Sequence, residues 1–376
     1  MALLSLLLLQ FLLCAVAIAW GGYTLSRSAD RLADLHGWGR GWVGLALLAT
    51  VTSLPELSSG LSSVLLHDAP DLAVGNVLGA CVVNLTFLVV VDLLHREAPM
   101  YRLASDTHLL SAGFGVVMLG FTAMSLAGGR QAVGLLHVGL YTPMLLGLYL
   151  LALRSVFAHE QQVRRRAAAD ALAQATPGPD ELVADGAAEV AAGAAAEEAA
   201  EVGRPRPQAD NASSAPGSRR QREWLRFGAS ALLVLAAGSG LPAVAQGLAQ
   251  VLGLSSSFVG TVFMAVATAL PEMAVTLSAL RLGALDLALG NLLGSNLFNL
   301  ALLALDDLAY TAGPLLSVVA PVHLTSAASA LVMYGLVIVG LVMRPQGKVL
   351  RILSWISVGL VAAYGLQAAL IYLAER

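Results

Sequence analysis

Two short motifs place chemically active residues inside otherwise apolar segments: Pro55–Glu56 in "TSLPEL" and Pro271–Glu272 in "TALPEM". A proline lacks the N–H of a helical residue and clashes with the preceding turn, so each motif frees a backbone carbonyl one turn earlier. A carboxylate within an apolar span is costly and marks an ion pathway by default. Freed carbonyls beside a carboxylate therefore predict a cation site.

The two motifs belong to an internal repeat. Residues 49–66 align without gaps on residues 265–282, with eight identities in eighteen positions. Residues 71–85 align on residues 286–300, with nine identities in fifteen. The shared Pro-Glu and Gly-Asn pairs, in matching order, make chance similarity between apolar helices a poor explanation.

Helix geometry predicts which residues meet the glutamates. The chain runs about 15 Å along a helix from Glu56 to the turn and returns about 18 Å to Asn84, at 1.5 Å per residue. Glu272 and Asn299 repeat this path, so all four side chains converge near the middle of a ~30 Å apolar core. Ser295 lies one turn from Asn299 and extends the polar stripe.

The predicted donors are carboxylates, amides, hydroxyls and backbone carbonyls, which suit a hard cation such as Ca²⁺ or Na⁺. Two carboxylates neutralise one Ca²⁺, and they can instead hold several Na⁺ or take up protons. Cys14 and Cys81 both fall in apolar runs. We interpret them as small hydrophobic residues rather than a disulfide or metal pair, and we expect no cofactor.

Composition indicates an integral membrane protein. The chain of 376 residues is 57% hydrophobic and 12% charged, with a mean hydropathy of +0.77. Its apolar runs are about 20 residues long, which is enough to cross a bilayer as helices. The ten predicted spans are 2–25, 41–66, 72–94, 108–127, 133–157, 225–252, 258–281, 286–309, 317–343 and 349–373.

Basic residues predict the orientation. With the N-terminus outside, nineteen Lys and Arg residues fall on the cytoplasmic side and only Arg130 and Arg376 fall outside. Without the long loop the split is still nine against two. Because each half has an odd number of spans, the two halves enter the membrane in opposite directions.

The predicted fold is an all-α membrane protein of ten transmembrane helices, arranged as two inverted five-helix repeats. Residues 1–157 form the first half, with its repeat at about 41–94, and residues 225–376 form the second, with its repeat at about 258–309. Between them, 158–224 is rich in Arg, Ala, Glu, Pro and Ser. This composition predicts a hydrophilic, largely disordered cytoplasmic loop.

At these residues the chain resembles the calcium/cation antiporter superfamily, specifically its sodium/calcium exchanger branch. "TSLPEL" with "GNVLGACVVN", and "TALPEM" with "GNLLGSNLFN", are similar to the two alpha-repeats of that branch. The resemblance implies a secondary transporter, not an enzyme, that exchanges Ca²⁺ for Na⁺ across a lipid bilayer. It implies no nucleic-acid partner, and it leaves the oligomeric state open.

The resemblance also implies roles for individual residues. Glu56 and Glu272 would be the central Ca²⁺ ligands, completed by carbonyls or hydroxyls of Thr52 and Thr268. Flanking sites for the coupling ion would be lined by the following groups: the carbonyls of Ala49 and Ala265, with Ser53, Asn84, Ser295 and Asn299. The first helix of each half would slide across a rigid core to alternate access.

Three departures from the family pattern leave the coupling ion open. Ala269 and Ala80 each stand where the family has a serine, and Asn299 stands where prokaryotic relatives often have Asp. Each change removes an oxygen ligand or a charge, so H⁺-coupled exchange of Ca²⁺ or another divalent cation is a competing hypothesis. A cation channel or a non-transporting scaffold is an alternative of another class.

Other polar residues have structural interpretations. His137 and His323 are expected to be packing or interfacial histidines. Asp71 and Asp286 open their helices and are expected to act as caps. The three carboxylates near span ends are expected to be solvated: Asp92, Asp306 and Asp307. With no organellar targeting segment before the first span, a prokaryotic inner membrane is the expected location.

Overall fold

The computed structural model describes residues 2–36, 49–95, 99–128, 134–175, 216–345, 347–349 and 352–375. These residues are nearly all helical, and nine of their helices are long and apolar enough to cross a membrane. The second predicted span, 41–66, begins outside the described residues. Nearly all-helical secondary structure and a multi-pass arrangement are therefore confirmed.

The helices of the first half follow the apolar runs of the sequence. Their bounds are α1 Ala2–His36, α2 Leu54–Leu65, α3 Pro70–Leu94, α4 Thr107–Gly128 and α5 Tyr141–Ala175. Residues 49–52, directly before α2, are also helical. A 3₁₀ turn at Met100–Arg102 precedes α4, and two short antiparallel strands precede α5, β1 (Gly134–Leu135) and β2 (Val138–Gly139).

The second half repeats this order. Its helices are α6 Pro216–Leu252, α7 Ser256–Phe258, α8 Ala265–Thr268, α9 Leu270–Arg281, α10 Leu285–Ala309, α11 Leu315–Val318, α12 His323–Met343 and α13 Trp355–Ala374. A π-helix at Val259–Met264 joins α7 to α8, so the stretch from Ser256 to Arg281 forms one interrupted span.

Three predicted spans began too early. The fifth was predicted from residue 133, but a hairpin occupies 134–139 and α5 begins at Tyr141. The ninth and tenth were predicted from 317 and 349, but α12 begins at His323 and α13 at Trp355. In each case an apolar approach segment forms a turn, a short helix or a bridge, which hydropathy alone does not distinguish from a span. At the central loop, α5 extends to Ala175 and α6 begins at Pro216, and residues 176–215 lie outside the described residues.

The core is built around α3 and α10, which pack against each other. α3 is buried along most of its length, with few polar side chains other than Asn76, Asn84 and Asp92. α1 and α6 pack side by side against the broken helices α9 and α2 respectively. The repeated motifs thus lie inside the protein, while the long first helix of each half lies outside them.

A close contact joins α1 and α6 to the prolines. A Cβ added to Gly22 of α1 would overlap the Pro271 ring, and one added to Gly238 of α6 would overlap Ser58 Oγ and lie 3.0 Å from the Pro55 carbonyl. The two glycines are 216 positions apart, which is also the offset between the two prolines. Each glycine therefore lets the first helix of one half approach the broken helix of the other.

Two histidine–aspartate pairs hold opposite ends of the helical bundle. The Nε2 atom of His323 lies 2.9 Å from Oδ1 of Asp71, and that of His108 lies 2.9 Å from Oδ1 of Asp286. We name the two ends of the bundle the Asp71 end and the Asp286 end. The expectation that the aspartates cap their own helices was wrong, because neither helix has a side-chain cap and both carboxylates bond to a neighbouring helix start.

The expectation that Asp92, Asp306 and Asp307 are solvated was also wrong, because all three are fully buried. Oδ1 of Asp92 accepts the amide of Met100 at 3.3 Å, and Oδ1 of Asp307 accepts that of Leu315 at 2.7 Å. Both amides lie eight residues beyond their aspartate. The chain after each helix folds back over its end and covers the carboxylate.

These folded-back segments are fixed by further bonds. Asp92 also accepts hydrogen bonds from the amide of Ser354 and from the hydroxyl of Ser357, both at 2.7 Å. Asp307 accepts from the amide of Gly139 at 2.9 Å and from the hydroxyls of Tyr141 and Thr142. A buried carboxylate with several hydrogen bonds stabilises the helix end it ties down.

Candidate cation site

The chain positions both glutamates directly after a break in a helix. The helical backbone is interrupted at Ser53 (φ −89°, ψ 13°) and at Ala269 (φ −80°, ψ 3°). Each following helix starts one residue later with a proline in its first turn, where a missing N–H costs nothing. Glu56 and Glu272 therefore lie in the first turn of α2 and α9, at the positive end of the helix dipole.

Both glutamates are fully buried. An uncompensated carboxylate inside a membrane costs several kcal/mol. The two glutamates belong to one site, because Ser53, three residues before Glu56, contacts Glu272. The centre of the protein therefore favours a positive charge between them.

The glutamates differ in their hydrogen bonds. Ser53 Oγ of the first half donates to Glu272 Oε1 of the second half at 3.1 Å. The residue equivalent to Ser53 in the second half is Ala269, which has no hydroxyl. Accordingly, neither carboxyl oxygen of Glu56 has a hydrogen-bond partner among the described residues. The substitution noted in the sequence thus removes the expected partner of Glu56.

The threonines show the same asymmetry. The hydroxyls of Thr52 and Ser295 lie 3.3 Å apart across the two halves. The residue equivalent to Ser295 in the first half is Ala80. Thr268 instead donates to Oδ1 of Asn76, at 3.0 Å. The second threonine is therefore held by an asparagine where the first meets a serine.

Two asparagines outside the predicted site set support the broken helices. Asn291 Nδ2 donates to the backbone carbonyl of Glu272 at 3.1 Å and to the hydroxyl of Thr276 at 3.2 Å. Asn76, at the equivalent position of α3, donates to the hydroxyl of Ser59 at 2.8 Å. These amides tie the first two turns of α9 and the second turn of α2 to the adjacent helix.

Asn84 meets a residue that the sequence did not single out. Its Nδ2 donates to Oδ1 of Asn296 at 3.0 Å, and Asn296 Nδ2 donates to the carbonyl of Cys81 at 3.0 Å. Cys81 and Asn296 occupy equivalent positions of the repeat, so α3 and α10 cross at the same position of each helix. Cys14 and Cys81 are both free thiols; Cys81 is buried and Cys14 is partly buried.

The remaining predicted ligands are Asn299, Ala49 and Ala265, and they are also buried. Asn299 is fully buried, and its amide has no partner among the described residues. The carbonyl of Ala49 accepts the Ser53 amide and the Thr52 hydroxyl, both at 3.2 Å. The carbonyl of Ala265 accepts the equivalent groups of its own turn, from Ala269 and Thr268. The two carbonyls are thus part of the helix breaks.

The resulting donor set consists of oxygen and amide groups. Several of its polar atoms lack a partner within the described residues: both carboxyl oxygens of Glu56, one of Glu272, Oδ1 of Asn84 and the amide of Asn299. Buried polar atoms without partners are rare in native proteins and call for a ligand or ion. Over the same residues, the structure contains no group of three or more His, Cys, Asp or Glu side chains placed to hold a metal ion.

Fold and site together define a multi-pass helical membrane protein whose central oxygen-rich site draws on both halves. The family model for "Sodium/calcium exchanger protein" matches residues 6–156 and 223–373. The chain belongs to the sodium/calcium exchanger protein family.

Individual relatives are more distant or match over shorter stretches. The chain is 48% identical over 63 residues to "Sodium/calcium exchanger MaX1" of Methanosarcina acetivorans, covering 16% of this chain and 18% of that protein. It is 25% identical over 290 residues to "Inner membrane protein YrbG" of Escherichia coli, covering 72% of each. The solved structure of the "H+/Ca2+ Exchanger CAX" superposes with a TM-score of 0.58 at 15% identity, covering 98% of this chain and 88% of the other. That likeness establishes the fold.

Proposed function

We propose that the chain is a secondary antiporter that moves Ca²⁺ across the membrane in exchange for Na⁺. The observation that carries the proposal is the buried pair Glu56 and Glu272, each on a helix break, with partnerless carboxyl oxygens between the two halves. Two carboxylates balance one Ca²⁺, and the surrounding neutral oxygens suit Na⁺. Antiport depends on Ca²⁺ and Na⁺ occupying the same site in turn.

In this proposal the ligands divide into a central and a flanking group. Glu56 and Glu272, with Thr52 and Thr268, bind Ca²⁺. The coupling ion binds beside them, at sites lined by Ser53, Asn84, Ser295, Asn299 and the carbonyls of Ala49 and Ala265. The contacts from Thr52 to Ser295 and from Ser53 to Glu272 support it, because each joins predicted ligands from different halves.

We further propose ten spans in two inverted halves, residues 1–157 and 225–376. Three kinds of contact support this arrangement: the His–Asp pairs, the end-capping aspartates and the glycine–proline contacts. Each kind occurs twice, and the residues of one copy are separated from those of the other by the offset of the repeat. In inverted repeats, equivalent contacts fall at opposite ends of the bundle, as the two His–Asp pairs do.

The proposed orientation has the N-terminus outside and the Asp286 end in the cytoplasm. Arg281, Arg344 and Lys348 lie beside that end, where Lys348 bonds to the carbonyl of Asp92 and Arg344 pairs with Asp106. Positive residues concentrate on the cytoplasmic side of membrane proteins. Residues 158–224 then form a cytoplasmic connection between the halves, and a prokaryotic inner membrane is the proposed location.

H⁺-coupled exchange of Ca²⁺ or another divalent cation is the second candidate. The observation that favours it is the loss of two hydroxyls: Ala269 gives Glu56 no serine partner, and Ala80 gives Thr268 none. Fewer oxygen ligands weaken Na⁺ binding, whereas a proton needs only the carboxylate itself. The fold shared with an H⁺/Ca²⁺ exchanger is compatible with this candidate.

The test is Ca²⁺ uptake into proteoliposomes containing the purified full-length chain, with Na⁺ and H⁺ gradients imposed separately. We expect uptake under the Na⁺ gradient, and its loss by about 100-fold or more in Glu56→Gln and Glu272→Gln. Asp106→Asn is the matched control, because Asp106 is an exposed carboxylate away from the site. Uptake without any counter-gradient would indicate a channel, and no uptake under either gradient would reject antiport.

A further inference from the structure

Asp306 is a buried carboxylate that neither the central site nor the scaffold explains. It lies on α10, three residues before the helix end at Ala309. It is fully buried, and neither of its oxygens has a hydrogen-bond partner among the described residues. Its neighbour Asp307, by contrast, ties down the chain that follows the helix. Asp306 therefore carries an unmet demand for a proton or a cation.

The Asp306 carboxyl lies against the backbone of α2. A Cβ added to Gly60 would lie 2.6 Å from Oδ2 and 2.7 Å from Oδ1 of Asp306. Only glycine leaves room for the carboxyl at this position. Gly60 follows Glu56 by four residues, so the two share a helix face about 6 Å apart along the axis. Asp306 thus lies about one helical turn from the central site.

The other half lacks this arrangement. By the repeat offsets, the positions equivalent to Gly60 and Asp306 are Thr276 and Val91. Val91 is fully buried at the matching place on α3. The fold therefore accepts an apolar residue at this position, and the scaffold does not require the carboxylate of Asp306.

The residues around Asp306 favour a proton over a metal ion as its ligand. Na⁺ and Ca²⁺ require several oxygen ligands, but no described polar side chain bonds to Asp306. A single partnerless carboxyl in a low-dielectric interior can hold one proton. The helix end at Ala309 is about 5 Å away, whereas the start of α10 is about 30 Å away, so protons reach it from the Asp71 end.

The titratable groups near Asp306 either bond to other residues or lie about one helical turn away. On α10 itself and on α5, Asp307 and Tyr141 bond to each other. Directly after α10, Tyr310 lies one turn from Asp306, and the Tyr310 amide donates to the Asp306 carbonyl. On α3, Asp71 is held by His323 of α12. In the turn between β1 and β2, His137 contacts the carbonyl of Leu308. On α2 and α9 the nearest carboxyls are those of the central site, Glu56 and Glu272.

We propose that Asp306 is a second proton-binding site, beside the central glutamates, in an H⁺-coupled mode of Ca²⁺ exchange, and that it is filled from the Asp71 end. The carboxylate takes up one proton from water at that end and returns it during the transport cycle, so no other reactant is needed. This inference rests on the second candidate function, H⁺-coupled Ca²⁺ exchange through the central glutamates. It adds a carrier for H⁺ that lies outside the set of cation ligands.

The first experiment measures the proton directly. Infrared spectra of the purified full-length protein at neutral pH are recorded for the unaltered chain, Asp306→Asn and Asp106→Asn. We expect the carbonyl band of a protonated, buried carboxylic acid to lose one component in Asp306→Asn and to remain unchanged in the exposed control. A band of unchanged intensity in Asp306→Asn would overturn the proposal.

The second experiment measures coupling in proteoliposomes. The ratio of H⁺-driven to Na⁺-driven Ca²⁺ uptake should fall tenfold or more in Asp306→Asn and stay unchanged in Asp106→Asn. An unchanged ratio in Asp306→Asn, or an unaltered chain with Na⁺-driven uptake but no H⁺-driven uptake, would overturn the proposal. Loss of all uptake in the unaltered chain would instead reject the antiport function. If Asp306→Asn does not fold, Asp306→Val replaces it, because valine occupies the equivalent position 91.

Discussion

Exchanging hydroxyls between the two halves of the site tests which oxygens bind the coupling ion. Ser53 Oγ lies 3.1 Å from Glu272, whereas the equivalent Ala269 leaves Glu56 without a partner. Ala269→Ser restores the missing oxygen to one half, and Ser53→Ala removes it from the other. The backbone angles at Ala269 are close to those at Ser53. We therefore expect the new hydroxyl to lie about as far from Glu56 as Ser53 Oγ lies from Glu272.

The magnitude follows from the charge of the bound ion. A hydroxyl oxygen that coordinates Na⁺ contacts a full charge, so we take its contribution to equal that of a hydrogen bond to a charged group, about 1.5–3 kcal/mol. A difference of about 1.4 kcal/mol corresponds to a tenfold change in affinity. We therefore expect Ala269→Ser to lower the Na⁺ concentration for half-maximal Ca²⁺ exchange by about tenfold or more. Ser53→Ala should raise that concentration by a similar factor.

The assay is Ca²⁺ efflux from proteoliposomes as a function of external Na⁺, with equal amounts of folded protein. Ser278→Ala is the matched control, because its hydroxyl bonds to the carbonyl of Ala274 in its own helix at 2.9 Å. Folded variants whose Na⁺ dependence matches that of the unaltered chain would refute the assignment of Ser53 to the coupling-ion site. A change in H⁺-driven exchange alone would refute it as well.

Three further predictions concern the scaffold. Asp92→Asn and Asp307→Asn should each destabilise the protein by about 2 kcal/mol or more, because each weakens several bonds to a buried charge; thermal unfolding in detergent measures this, and unchanged melting would contradict the proposed capping role. Gly238→Val should slow transport without lowering Ca²⁺ affinity, since a side chain there meets Ser58 and the Pro55 carbonyl of α2; equal loss of binding and turnover would argue for a plain packing defect. Asn296→Leu should separate α3 from α10 and lower stability, and a neutral result in the same melting assay would show that their crossing does not depend on the amide.

The sequence could predict the helices and the two glutamates because these depend on local chemistry. A proline fixes the break in the backbone wherever the rest of the chain lies, so the positions of Glu56 and Glu272 follow from Pro55 and Pro271. The repeat then supplied the pairing between halves. The contact from Ser53 to Glu272 joins two residues that the sequence had assigned to one site.

The buried aspartates could not be predicted from their position in the spans. Asp92 and Asp307 lie at helix ends, where solvation is the ordinary outcome. Their burial depends on segments that fold back from distant parts of the sequence, including the hairpin of Gly139 and the start of α13 at Ser354. A signal was nevertheless available, since Asp92 and Asp307 are 215 positions apart, as are the aligned residues of the second repeat block.

Asn296 was missed for a different reason. It replaces Cys81 of the other half, so the repeat alignment gave no matching polar residue. Its role arises from the crossing of α3 and α10, where each helix presents the same position of the repeat. The rule that equivalent positions meet at a two-fold crossing would have singled out this pair.

The differences between the halves are concentrated around one glutamate. The scaffold contacts occur in both halves, including the glycine–proline contacts and the end-capping aspartates. The unmatched residues instead adjoin Glu56: Ala269 lacks the hydroxyl it would receive, and Gly60 admits Asp306 one turn away. The scaffold contacts are retained in both halves except at the crossing of α3 and α10, where Asn296 replaces Cys81. We therefore propose that the asymmetry around Glu56 serves ion coupling: the Glu272 side keeps a serine partner, and the Glu56 side has a nearby carboxyl group instead.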